Sequence, residues 1–144
     1  MDGAATVGTA QALQGACHCG AAGWALTGDP GAVTSCSCTL CRRYGALWAY
    51  DYEAERITLR GAMAAYVRPD TSDPHLEVLF CPTCACLIAW RGLHAAPDGR
   101  RRAAVNVRLA DPGDVAALAL RRLDGLAGFR EASGGARRVE DLWF

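Results

Sequence analysis

Eight cysteines in three short groups are the residues of this sequence with the clearest chemistry. The first group reads Cys-x-Cys, the second Cys-x-Cys-x-x-Cys, and the third Cys-x-x-Cys with one further cysteine; their members are Cys17 and Cys19, then Cys36, Cys38 and Cys41, then Cys81, Cys84 and Cys86. Thiols one and two residues apart are typical of metal ligands in a reducing compartment, because a short loop lets their sulfurs converge on one ion. The spacing therefore predicts metal centres rather than disulfides.

The first and third groups together supply four sulfurs. Cys81 and Cys84 form a zinc-knuckle half after an apolar segment, and Cys17 and Cys19 form a tighter half at the end of the first predicted strand. Four thiolates complete a tetrahedral zinc site of the structural kind. Iron is the competing metal, but a rubredoxin-like site would use two Cys-x-x-Cys knuckles, and only one is present. We therefore expect zinc.

The middle group offers three thiolates, one fewer than a tetrahedron needs. Three protein ligands with an open position are the pattern of a reactive zinc site, and such an ion is suited to capture an incoming thiolate as a nucleophile. We predict that Cys36, Cys38 and Cys41 are both metal ligands and catalytic residues. Cys86 is able to complete this site, but we expect it to be a small buried residue at the start of a strand.

The elements that must position these cysteines are short and mostly β. Segments rich in strand-forming residues, separated by Gly, Pro and Asp, cover residues 12–17, 23–27, 46–50, 57–59, 64–68, 76–80, 87–90 and 104–108. The sequence therefore predicts an antiparallel, mostly β domain.

One short C-terminal helix is also predicted. Asp111 is a good N-cap and Pro112 suits the first helical position, with Asp114 in the positive first turn. Residues 115–120 continue the apolar pattern, so we expect the helix to end near Arg121, Arg122 and Gly125.

Composition excludes several classes of function. All 15 basic residues are Arg, so a Schiff-base lysine, a pyridoxal enzyme and a P-loop are excluded. The formal net charge of +0 argues against a nucleic-acid partner. No apolar stretch approaches the roughly 18 residues of a membrane span, and the first residues lack the pattern of a secretory signal. We expect a cytoplasmic protein that binds no membrane.

The length of 144 residues is that of one domain. We expect residues 1–10 to be a flexible N-terminus and residues 11–144 to form a single zinc-binding domain. The apolar residues Leu142, Trp143 and Phe144 are expected to dock on the sheet or on a second subunit, which would make a homodimer.

Three motifs in order carry a resemblance to a known family. They are Gly15-Ala-Cys-His-Cys-Gly20, Cys36-Ser-Cys-Thr-Leu-Cys-Arg-Arg-Tyr-Gly45 and Phe80-Cys-Pro-Thr-Cys84. From about Gly15 to Phe144 the sequence resembles the glutathione-dependent formaldehyde-activating enzyme family, which shares its domain with centromere protein V. One departure is Ala85, because the family usually has Gly after the knuckle and Gly tolerates a positive φ.

The resemblance implies a β-tent fold of paired antiparallel sheets with two zinc ions per chain. It places a structural zinc on Cys17, Cys19, Cys81 and Cys84 and a second zinc on the Cys36, Cys38, Cys41 loop. The implied activity adds the thiol of glutathione to formaldehyde and gives S-hydroxymethylglutathione. Glutathione carries two carboxylates, so we expect Arg42 and Arg43, which follow the last ligand, to bind it.

The expected function is that of a zinc-dependent carbon–sulfur lyase or synthase, whose partners are a small thiol, glutathione or similar, and formaldehyde or another small aldehyde. The alternative is a non-catalytic, zinc-stabilised interaction module of the centromere protein kind. A methionine sulfoxide reductase B-like enzyme ranks last, because it needs an exposed, metal-free catalytic cysteine and only Cys86 is spare.

Overall fold

The computed structural model describes residues 12–132, 134–135 and 137–143, and the expectation about residues 1–10 lies outside them. The elements in chain order are β1 (Ala12–Ala16), β2 (Gly23–Thr27), β3 (Val33–Cys36), α1 (Cys41–Tyr44), β4 (Leu47–Tyr52), β5 (Ile57–Arg60), β6 (Ala64–Tyr66), β7 (Leu76–Phe80), β8 (Leu87–Gly92), β9 (Arg102–Asn106), α2 (Pro112–Val115), β10 (Leu120–Asp124), β11 (Arg130–Ala132) and α3 (Glu140–Trp143). The prediction of a mostly β protein is confirmed.

The strands form two sheets of unequal size. The small sheet has the order β1-β2-β5, and the large one has the order β11-β10-β3-β4-β9-β8-β7-β6. Neighbouring strands are antiparallel except β3 and β10, which pair in parallel from Leu120 opposite Val33 to Leu123 opposite Cys36. No helix in the described part of the chain is long and apolar enough to cross a membrane.

The main core lies between the small sheet and one face of the large sheet. Trp24, Leu26 and Ile57 from the small sheet are buried in one cluster with Ile88 and Val105 of the large sheet. Each of these five residues is at most 2% exposed, so the removal of their apolar surface from water stabilises the contact between the two sheets.

A second, smaller core covers the opposite face of the large sheet. Trp48, Val78, Trp90 and Ala104 are its buried members, and Tyr50 packs against them. Within β7, Val78 and the next residue along the chain point to opposite faces and both are buried, so the large sheet has side chains packed on both faces.

Asn106 is a buried polar residue that joins the two sheets. Its side chain accepts hydrogen bonds from the backbone N–H of Leu47 and Arg108 and donates one to the carbonyl of Leu87. The backbone carbonyl of Asn106 accepts a hydrogen bond from the indole N–H of Trp24 at 3.1 Å. Because each of these groups is satisfied, the buried amide fixes the position of β9 without a desolvation penalty.

The predicted C-terminal helix begins correctly, but its predicted length is wrong. Asp111 caps α2 by accepting a hydrogen bond from the Gly113 N–H at 2.9 Å, yet α2 ends at Val115. Residues 120–124, expected at the end of the helix, form β10 because the exposed edge of β3 offers hydrogen bonds that a short isolated helix lacks. The structure also adds β3 and β11, which the sequence pattern missed, along with α1 and α3.

Candidate metal centres

Cys17, Cys19, Cys81 and Cys84 form the first cluster, and their sulfurs all lie within 4.8 Å of one another. The sulfur of Cys19 is 3.6 Å from those of both Cys17 and Cys81. Two turns bring them together, one between β1 and β2 and the other between β7 and β8. The four-cysteine set predicted from spacing is therefore assembled by the fold.

Local hydrogen bonds shape these two turns around the sulfurs. Gly20, at φ +84°, donates its N–H to the carbonyl of Cys17, and the Ala22 N–H points at the Cys17 sulfur at 3.4 Å. In the other turn, the Ala85 N–H bonds to the Cys81 carbonyl at 2.8 Å. Backbone N–H groups aimed at sulfur stabilise the thiolate, which is the form that binds metal.

The electrostatics of this cluster favour a bound cation. The pKa of Cys84 falls to about 5, because the backbone N–H groups of Cys19 and Cys86 donate to its sulfur. Several thiolates packed this closely repel one another unless a cation lies between them. The donor set is four sulfurs at short range and fits zinc.

Cys36, Cys38 and Cys41 form the second cluster, with sulfurs within 4.8 Å of one another. Cys36 ends β3, and Cys41 begins α1. The sulfur of Cys38 accepts the Cys41 N–H at 3.2 Å, and the sulfur of Cys41 accepts the Trp48 indole N–H at 3.4 Å. This loop therefore holds three sulfurs in one place through its own backbone and one buried aromatic residue.

Hydrogen bonds within the second cluster give its thiols different pKa values. A hydrogen bond from Cys41 lowers the pKa of Cys36 to about 6 against the opposing effect of burial, and the Cys38 N–H and the charge of Arg68 contribute. The same shared proton raises the pKa of Cys41 above its ordinary value. The cluster therefore holds thiolate character near neutral pH even before a cation is considered.

A cavity of about 130 Å³ opens beside the second cluster. Tyr50 and Trp90 form part of its wall, with ring centroids 6.0 Å apart, and Phe129 lies at its exposed side. The three cysteines also line it. Cys86 does not, because it packs against the main core, so no fourth cysteine reaches this site. The arrangement has three sulfurs and an accessible space, as an open metal site requires.

Arg68 is a residue of this site that sequence reasoning missed. It follows β6, and its guanidinium lines the cavity beside Cys38. Two bonds to Asp70, at 2.6 and 2.8 Å, and one to Thr39 Oγ1 at 2.7 Å hold it there. No local signal marks this arginine, because the nearest cysteine along the chain is thirteen residues away and only the packing of the loop brings them together.

The structure places Arg42 and Arg43 away from the cavity wall. Both lie on α1 with exposed side chains, and Arg43 donates to the carbonyl of Thr39 at 2.6 Å. Neither belongs to the residues that line the cavity of about 130 Å³. Their role in binding carboxylates stays a prediction.

A mostly β domain with one four-cysteine cluster and one three-cysteine cluster has the features of the small proteins that are able to bind metal through thiolates. Within that class, the glutathione-dependent formaldehyde-activating enzyme family matches residues 12–116. The match covers more than half of the chain and includes all eight cysteines, and the chain belongs to this family.

One solved structure supports the same fold. A crystal structure of a Rhodobacter sphaeroides protein, determined as a structural genomics target, is similar with a TM-score of 0.52 and 25% sequence identity. The similarity covers 71% of this chain and 94% of that one. No curated protein matches the sequence closely enough to count as a relative.

Proposed function

We propose that the second cysteine cluster is the active site of a zinc-dependent enzyme that adds glutathione or a similar thiol to formaldehyde or another small aldehyde. The observation that carries this proposal is the meeting of Cys36, Cys38 and Cys41 at a cavity to which no fourth cysteine contributes. Membership of the family supports the substrate class. Enzymes of this kind are classed as carbon–sulfur lyases, and the reaction proposed here is the one that forms the carbon–sulfur bond.

The two cysteine clusters fit two zinc ions per chain. The first cluster has four sulfurs and suits a structural ion; the second has three and suits a catalytic one. When bound at Cys36, Cys38 and Cys41, zinc would lower the pKa of the substrate thiol and hold its sulfur for attack.

The protein's own groups orient the reactants and stabilise charge. In the addition, the thiol gives up its proton to water and its sulfur forms a bond to the aldehyde carbon. The carbonyl π pair moves to the oxygen, which takes up a proton from water, so that no net proton is gained or lost. The guanidinium of Arg68 lines the cavity and stays charged at neutral pH. Its Nε and Nη2 groups bind Asp70 and Thr39, so the Nη1 group is the donor that we assign to the oxyanion. Asp70 and Thr39 keep it in position.

The size of the cavity limits what it holds. A volume of about 130 Å³ is well below the roughly 300 Å³ at which sites for drug-sized ligands begin. The aldehyde and the sulfur end of the thiol fit this space, and Tyr50 and Trp90 exclude water around them. The remainder of a peptide-sized thiol must bind outside this cavity.

The cellular setting we propose is the cytoplasm. All eight cysteines are free thiols, which a reducing compartment preserves. The same free thiols support metal ligation rather than disulfide formation.

The test combines metal analysis with a rate measurement. The wild-type protein is expected to contain two zinc ions and to accelerate the equilibration of glutathione and formaldehyde with S-hydroxymethylglutathione, followed by NMR exchange. The triple variant Cys36→Ser, Cys38→Ser, Cys41→Ser should keep one zinc and show only the uncatalysed rate. The matched control Cys86→Ser removes a thiol outside both clusters and should keep two zinc ions and the full rate.

A wild-type protein with full metal content and only the uncatalysed rate would overturn this proposal. Such a result would favour the alternative, a non-catalytic zinc-stabilised interaction module.

A further inference from the structure

A second hollow lies directly beside the cavity of the three-cysteine site. It has a volume of about 370 Å³, and its lining includes His75, Leu76, Trp90, His94, Arg100 and Arg102. Leu76 and Trp90 line both the hollow and the cavity. The two spaces are therefore neighbours that share part of their wall, and we call the larger one the arginine lobe.

Among the residues that the structure describes, the lining of the arginine lobe includes two arginines and no acidic residue. Arg102 is exposed, its guanidinium lies 5.8 Å from the centre of the Trp90 ring, and no carboxylate of the described residues forms an ion pair with it. The exposed Asp73 lies 3.5 Å from His75 and is absent from the lining of the lobe. Arg102 therefore presents donors that are free to bind an anion.

Arg100 differs from Arg102 because its guanidinium is already paired with a carboxylate of the protein. It bonds to both carboxylate oxygens of Glu55, at 2.9 and 3.1 Å, and stacks 3.7 Å from the centre of the Tyr52 ring. These contacts fix Arg100 as a rigid side of the lobe. The binding energy for an anion is expected to come mainly from Arg102.

We propose that the arginine lobe is the carboxylate-binding subsite for the non-reacting end of the thiol substrate, with Arg102 as the main contact. This proposal rests on the function proposed above and narrows the substrate class to small thiols that carry a carboxylate several bonds from the sulfur. The sulfur end occupies the small cavity, the chain of the substrate passes over Trp90, and the carboxylate pairs with the Arg102 guanidinium. An uncharged thiol gains nothing from this lobe.

The physical basis is the match between a planar guanidinium and a planar carboxylate. Arg offers a fork of N–H donors that Lys lacks, and its hydrogen bonds to a carboxylate are charge-assisted. Trp90 supplies an apolar surface between the small cavity and the arginine lobe. Trp90 is only 8% exposed, so the residues packed around it hold its ring in place. The arrangement gives orientation as well as attraction, because the sulfur and the carboxylate are held at two separate points.

Steady-state kinetics with two thiols test the proposal. Arg102→Ala should raise KM for glutathione about tenfold and leave the rate with 2-mercaptoethanol unchanged, because only glutathione carries carboxylates. Arg102→Lys should recover part of the loss. The matched control Arg138→Ala removes the same charge from a side chain that lines neither the small cavity nor the arginine lobe, and should leave both thiols unaffected.

Binding of S-methylglutathione separates this proposal from the proposed function. This probe keeps both carboxylates and has no free thiol, and its binding to the metal-loaded protein is followed by calorimetry. Binding that weakens about tenfold in Arg102→Ala supports the arginine lobe even if no aldehyde chemistry is detected. If the enzyme is active and Arg102→Ala leaves KM for glutathione unchanged, the arginine lobe does not bind the carboxylate. The same conclusion follows if KM rises only in the double variant Arg42→Ala, Arg43→Ala. In both cases the proposed function is retained.

Discussion

Ala85 shows how one residue bears the strain of the metal-binding turn. It lies directly after the Cys81-x-x-Cys84 knuckle at φ +67°, a left-handed conformation that costs a non-glycine residue about 1–2 kcal/mol. Its N–H bonds to the Cys81 carbonyl at 2.8 Å, so the turn cannot relax without losing that bond. The departure from the family's usual glycine is therefore tolerated at an energetic cost.

Replacement of Ala85 by Gly should stabilise the protein. Gly relieves the left-handed strain, which stabilises the folded state, but its greater backbone freedom stabilises the unfolded chain. Because the first effect is the larger, we expect the free energy of unfolding to rise by about 0.5–1 kcal/mol. Urea denaturation of the zinc-loaded protein measures it. Ala65→Gly on β6, where φ is negative, is the control and should destabilise by a similar amount. Equal destabilisation by both changes would show that Ala85 is unstrained.

Arg68 shows the limit of prediction at the scale of single residues. The two cysteine clusters were predicted from their spacing, because cysteines that converge on one point are separated by only a few residues along the chain. Arg68 is held at the site by Thr39, which lies 29 residues away along the chain, and such a long-range contact leaves no periodic pattern in the sequence. Cysteines that converge within a short loop can be predicted from the sequence, whereas residues that pack against them from elsewhere in the chain cannot.

At the scale of elements, the hairpin of β10 and β11 is a support for the second cluster. The Ser37 N–H bonds to the Leu123 carbonyl at 3.0 Å, and the Gly125 N–H bonds to Ser37 Oγ at 3.1 Å. A Cβ on Gly125 would lie 2.5 Å from Cys38 Cβ and 2.6 Å from its backbone nitrogen. The turn and the cysteine loop are therefore in close contact, and only glycine fits between them.

Gly125→Ala should disturb the second cluster selectively. The added methyl forces the Cys38 backbone to move, so we expect a loss of about 1–3 kcal/mol in stability and weaker binding of the second zinc, while the first zinc is retained. Competition with a chromophoric chelator measures both affinities. Gly113→Ala, whose Cβ would meet a carboxylate oxygen at 3.3 Å, is the matched control and should change neither. Two unchanged zinc affinities in Gly125→Ala would refute the supporting role of the hairpin.

At the scale of the whole molecule, the two cysteine clusters belong to different cores. Cys17 and Cys81 are buried in the main core, between the two sheets, whereas Cys41 packs against the smaller core on the opposite face of the large sheet. The first cluster links β1 and β2 of the small sheet to β7 and β8 of the large one. We therefore propose that it stabilises the fold, while the second cluster is left to react.

Removal of ligands from the two clusters should have unequal effects on stability. Cys81→Ser with Cys84→Ser breaks the link between the sheets, so we expect the thermal midpoint to fall by at least about 10 °C and one zinc to be lost. The triple serine variant of Cys36, Cys38 and Cys41 should lose one zinc and keep most of its thermal stability. Circular dichroism measures both midpoints. Equal losses in the two variants would contradict the division between a structural and a reactive site.

The sequence by itself determined the mostly β class, the family and the two cysteine clusters, because alternation within strands and the spacing of cysteines are local properties of the chain. The tertiary structure decided that residues 120–124 form a strand beside β3, that Arg68 lies at the three-cysteine cluster, and that the arginine lobe lies next to it. Each of these depends on contacts between residues far apart in the sequence. Their free energy comes from packing and pairing across the fold, which no local pattern encodes.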